Sequence, residues 1–294
     1  MKTKTGKLFF IYSLAAVIIT SVIRFFQYVS VINYRTGFFL PGSETAGNLI
    51  YIVLSVLIVG LLGLIFIGIK KNWTAVTVSS AGMGSKATIF LGGAYLLSAV
   101  IKVYELFSAE GYGLFKTISL GAAVLFFAAM GLMLMKSTVP PAISGFLNLF
   151  PALICFFLAI ELFMSDLVIK NHSDNLLLLF VYVSGTLFFA GIARFYARLE
   201  TKTSRPREIF VASITFIFSG LHVVSKLLAL AFGGSATADM ALLGMNKISP
   251  DALSLLLLSG TYLAVISFTV QKSEIEYLPT EKEEKEDKNP LSKD

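Results

Sequence analysis

The sequence is poor in residues on which many catalytic and metal sites depend. It has one cysteine, Cys155, in 294 residues. No intrachain disulfide can form and no thiolate metal cluster can be built. Cys155 reads as a small buried apolar residue. Two histidines, His172 and His222, are too few for a histidine-rich metal site. Charge is scarce as well. Charged residues make up 14% of the chain, against about 25% in an average soluble domain. The chain is 56% hydrophobic, with a mean hydropathy of +0.80. So little polar surface cannot cover a water-soluble body, so the outside of the fold must face lipid.

Several chemical signatures are missing too. There is no His-Glu-x-x-His, no Gly-x-Ser-x-Gly and no Walker A sequence. The loop Gly82-Met-Gly-Ser-Lys86 has glycines and a lysine but not the spacing of a phosphate loop. No cofactor is expected.

What is present is a series of apolar runs of roughly 20 residues, the length that crosses a hydrocarbon core. They cover residues 8–32, 48–69, 88–107, 114–135, 143–169, 176–197, 209–232 and 252–270. The predicted fold is all-α, a polytopic membrane bundle of about eight transmembrane helices. Lys2, Lys4 and Lys7 ahead of Leu8–Ile23 have the outline of a signal peptide. The apolar run is longer than a signal core, however, and no small-x-small cleavage site follows, so a retained first span is expected.

Lysine and arginine set the orientation, because basic residues collect on the cytoplasmic side. With the N-terminus inside, 17 of the 24 basic residues fall in inner segments and four, Arg35, Lys116, Lys170 and Lys247, on the outer side. Both ends are therefore expected in the cytoplasm. Trp73, just past the second span, reads as an interface anchor. The last 22 residues, 273–294, hold eight acidic and four basic side chains and read as a disordered cytoplasmic tail. Residues 1–272 form the membrane domain. Without the tail the body carries a net charge of +10. That surplus suits an anionic leaflet, and no nucleic-acid partner is expected.

The remaining three basic residues, Arg24, Lys102 and Lys226, lie inside spans. A charge at mid-bilayer costs about 2.5–3.5 kcal/mol, so such residues turn towards the bundle interior. Their neighbours agree. Ser13, Ala16, Thr20, Arg24 and Gln27 fall on one face of the first span. Tyr95, Ser98, Lys102 and Glu105 do so in the third, and Thr215, Ser219, His222 and Lys226 in the seventh. Glu161, Ser165 and Asp166 add polar groups late in the fifth. All four spans run outward, so their charges come at similar depth near the outer leaflet. The even spans look almost chargeless and read as apolar packing. The candidate intramembrane cluster is Arg24, Gln27, Lys102, Glu105, Glu161, Asp166, His222 and Lys226. Lys102 and Glu105 are one turn apart and can pair within a helix. Arg24 with Glu161 is the expected cross-helix pair. Lys226 stands about 9 Å from its helix end, within snorkelling reach of the outer headgroups. Gly60 and Gly63, Gly92 and Gly93, and Gly185 and Gly191 are candidate points of close helix packing.

Gly145-Phe-Leu-Asn-Leu-Phe-Pro-Ala-Leu153 and Leu187-Phe-Phe-Ala-Gly-Ile-Ala-Arg-Phe195 resemble stretches of a family of uncharacterised multi-span bacterial inner-membrane proteins. The resemblance implies a bacterial inner membrane and no particular activity. The expected function is that of a non-enzymatic integral membrane protein acting through protein partners, bound by the tail or loops. The alternative is a transporter or channel for a small solute or ion, using an outward-facing polar cavity. An intramembrane enzyme fits least, because no nucleophile–base pair or metal set is visible.

Overall fold

The computed structural model describes residues 3–32, 39–70, 85–108, 114–136, 141–164, 173–197, 204–233 and 247–268. Among them are eight helices: α1 Thr3–Ser30, α2 Glu44–Lys70, α3 Ser85–Ser108, α4 Leu114–Met135, α5 Pro141–Leu162, α6 Ser173–Tyr196, α7 Ser204–Phe232 and α8 Pro250–Phe268. Each matches one predicted span. Seven are long and apolar enough to cross a bilayer. The eighth, at 19 residues, is the shortest. Expectations for the tail 273–294, Trp73, Ser165 and Asp166 lie outside the described residues.

Local chemistry accounts for the helix ends. Pro141 and Pro250 open α5 and α8, where the missing N–H is not needed and the fixed φ suits a helix. Ser249 caps α8, its hydroxyl accepting from the Ala252 amide at 3.4 Å. Between α1 and α2 the chain reverses at Leu40-Pro41-Gly42-Ser43. The Ser43 amide bonds the Leu40 carbonyl, and Gly42 takes the positive φ of 83° that a Pro-Gly type II turn requires.

The helices are not equivalent. α3 packs tightly on α4, α5 on α6, and α1 on α7; α4 and α5 touch only sparsely. α7 and α8 lie at the centre, in contact with α1, α3 and α6. In α7 67% of the span is buried, against 22% in α2, so α7 is a core helix and α2 a peripheral one. The outer faces carry Ile18, Ile52, Val59, Phe90, Leu125 and Phe146, all exposed, which fits a lipid-facing surface. The chain is a multi-pass integral membrane helix bundle.

Small residues set the closest approaches. A Cβ on Gly92 would lie 2.9 Å from the Gly131 carbonyl oxygen of α4. One on Gly185 would meet Leu255 of α8 at 2.8 Å. Gly60 is crowded by the Tyr12 hydroxyl, which donates to the Leu57 carbonyl at 2.7 Å. Gly63 and Gly93 have no neighbour within 4 Å, and Gly191 meets Glu208 only at ordinary contact distance. These three are not packing points, contrary to the expectation from sequence.

Candidate functional site

The three polar stripes of α1, α3 and α7 are buried along their whole length. Their hydroxyls are partly satisfied within their own helices: Thr20 donates to the Ala16 carbonyl, Ser98 to Ala94 and Ser219 to Thr215. The charged groups need more, and they find it in two nests at the end of the bundle away from the N-terminus.

The first nest centres on Asp174, in the first turn of α6. Its carboxylate accepts from the Arg24 guanidinium of α1 at 3.0 Å and the Lys226 ammonium of α7 at 2.9 Å. The Tyr28 hydroxyl donates to it as well. Arg24 is fully buried, with its guanidinium 4.7 Å from the centre of the Tyr28 ring. Arg24 also donates to the Gln27 side-chain oxygen at 3.0 Å, and Gln27 in turn donates to the Ala46 and Gly47 carbonyls of α2. Lys226 makes a further bond to the Lys247 carbonyl at 2.9 Å. One carboxylate thus ties α1, α6 and α7 together.

The second nest centres on Lys102. Its ammonium donates to Glu105 at 2.7 Å and to Asp251 in the first turn of α8. The Tyr182 hydroxyl of α6 reaches the other Asp251 oxygen at 3.4 Å, a long bond. The segment 247–251 links the nests, since it supplies the Lys247 carbonyl to one and Asp251 to the other.

Beside the second nest is a narrow cleft of about 50 Å³. Lys102, Glu105 and Asp251 line one end. Leu120, Ala123 and Phe127 of α4 and Pro151, Ile154, Cys155 and Leu158 of α5 form its sides, and Phe189 and Leu255 its back. It falls where the α3–α4 and α5–α6 hairpins meet least. Ile154 and Leu158 are half-buried, next to the exposed Leu153 and Phe157. The mouth therefore faces the membrane.

This geometry corrects several expectations. Arg24 pairs with Asp174 and not with Glu161. Glu161 is exposed, because α5 packs on α6 while α1 packs on α7, α8 and α2. Lys226 does not snorkel outward; it is buried and bonded within the nest. The polar groups form two nests and not a single cluster, and the even helices α6 and α8 supply a central carboxylate to each. Asp166 lies outside the described residues. The pairing of Lys102 with Glu105 agrees with the sequence reading. His222 is buried one turn before Lys226, within electrostatic reach of Asp174, Arg24 and Lys226. Neither of its ring nitrogens has a hydrogen-bond partner among the described residues.

Asp174 and Asp251 were missed because each stands just ahead of an apolar run, where an acid reads as part of a loop. The signal that marks them is their place at a helix start. Ser173-Asp174 and Ser249-Pro250-Asp251 are N-terminal helix signatures, where an acidic side chain also suits the helix dipole. No family model, curated protein or solved structure matches the chain, and the likeness of 145–153 and 187–195 to bacterial membrane proteins gains no support from them.

Proposed function

We propose that the protein is a non-enzymatic membrane protein that binds a small amphipathic molecule in the cavity between its two outer hairpins, as a carrier or receptor for it. One observation carries this reading: three charged side chains line a cavity whose other walls are mostly apolar, with Ser119 and Ser254 the remaining polar groups, and which faces the membrane. A hydrated ion is poorly suited to such walls, since stripping its water there is costly. The buried charges are also already paired with one another, which favours structural pinning over an open ion path.

The head group follows from the charged end. Two carboxylates and one ammonium line it, and Lys102 already donates to both acids. Among the described residues, the second Asp251 oxygen accepts only the long Tyr182 bond. An incoming head that donates hydrogen bonds, an amine or an alcohol, meets a weakly engaged acceptor there. A carboxylate head meets like charge.

Thermal unfolding in lipid nanodiscs with octylamine, octanol or octanoate tests the reading. Stabilisation is expected in the order amine, alcohol, carboxylate. Ala123→Phe, which fills the cavity, and Leu158→Trp, at its mouth, should each remove it. Equal shifts with all three compounds, or shifts that survive both substitutions, would overturn the proposal. Action through protein partners is the competing reading. It predicts a co-purifying chain that is lost on truncation after Gln271, with no response to any amphiphile.

A further inference from the structure

We infer a second binding site, at the opposite end of the bundle, for the head group of an anionic phospholipid in the leaflet on the N-terminal side. It lies where α6 ends and α7 begins. A cavity of about 230 Å³ is lined there by Arg194, Arg207 and Glu208 together with apolar residues that include Leu187 and Val211. The helix ends place it at the membrane boundary, since the spans end at Tyr196 and restart at Pro206.

The charges are arranged differently from those of the nests. Glu208 is buried at the back and accepts from the Tyr262 hydroxyl of α8 at 3.3 Å. Arg194 and Arg207 are partly or fully exposed, and neither has a hydrogen bond or ion pair among the described residues. Two guanidinium groups at one mouth, with no carboxylate among the described residues engaging them, match the planar, multidentate geometry of a phosphate diester. Exposed Leu187, about two turns deeper along α6, offers an acyl chain an apolar track towards the bilayer centre. A basic pocket between helices, open to the leaflet that basic loops face, is the arrangement that selects anionic lipid. Free phosphate would use the same arginines but gain nothing from the apolar track.

The test is native mass spectrometry of the full chain released from nanodiscs of mixed phosphatidylglycerol and phosphatidylcholine. The wild type should retain phosphatidylglycerol preferentially. The Arg194→Gln/Arg207→Gln double variant should bind it roughly thirtyfold more weakly, as expected for two lost cations near an anionic surface. Lys136→Gln, an exposed basic residue at the same end of the bundle, is the control and should retain the lipid as wild type does. Because neither arginine is paired among the described residues, the double variant should unfold at the wild-type temperature in pure phosphatidylcholine. Equal loss in the Lys136 control would reduce the effect to general surface attraction and overturn the site. Unchanged retention in the double variant would do the same. Displacement of the lipid by millimolar inorganic phosphate would show that the arginines read the free anion and not the lipid.

Discussion

Asp174 is the residue on which the far end of the bundle depends. Removing one partner of a buried ion pair leaves an uncompensated charge, typically at a cost of about 3–5 kcal/mol. Asp174→Ala would strand both Arg24 and Lys226, so a loss in that range is expected in denaturant unfolding in detergent. Lys226→Met should cost less, because Arg24 and Tyr28 still serve the carboxylate. If Asp174→Ala loses less than Lys226→Met, the carboxylate is not the hub. His222 predicts the reverse behaviour. Its buried nitrogens have no partner among the described residues, and an unsatisfied buried polar group costs about 1–3 kcal/mol. His222→Leu should therefore leave the unfolding temperature unchanged or raise it. A clear fall would mean that the imidazole makes a bond that matters.

Among the helices, the tight pairs depend on missing side chains. Gly92→Val would press into the Gly131 carbonyl and should force α3 away from α4, lowering the unfolding temperature by several degrees. Gly63→Val, on a face with nothing within 4 Å, is the matched control and should have no effect. Similar behaviour of the two variants would contradict the packing. The faces of α1, α3 and α7 were legible in the sequence because a buried stripe repeats at three and four residues, and Ser13 to Gln27 does so without a break. The partners were not legible. Periodicity says which face turns inward but not which helix it meets, so Arg24 was matched to the wrong acid. Glu161 shows the limit of depth as a guide. Its place late in an outward-running span suggested the same level as Arg24, yet α5 leaves it exposed. Asp174 and Asp251 escaped for a related reason: a residue in the first turn of a helix carries too few neighbours to show a period.

At the scale of the whole molecule, the two ends do different things. At the end away from the N-terminus, two ion-pair nests pin α1, α3, α6, α7 and α8, and they leave a membrane-facing cavity where α4 and α5 barely touch. At the other end, two arginines with no ion-pair partner among the described residues stand over an open groove. The bundle thus has a tightly pinned centre and a loose seam, and a ligand from the bilayer could enter the seam without breaking an ion pair. The seam is also where the chain's one cysteine, Cys155, lies buried, which makes it a natural reporter. Octylamine in the cavity should slow modification of Cys155 by a small membrane-permeant maleimide, and octanoate should slow it much less. Equal protection by both would argue against a head-group preference.

The most direct measurement of the central claim is photo-crosslinking with a diazirine-bearing alkylamine, followed by peptide mapping. The account predicts labels on the cavity walls of α4 and α5, among Leu120, Ala123, Phe127, Ile154 and Leu158, competed by octylamine and absent in Ala123→Phe. Labels spread evenly over the exposed faces of α2 and α5, unaffected by competitor, would show that the amphiphile meets this protein only as lipid does.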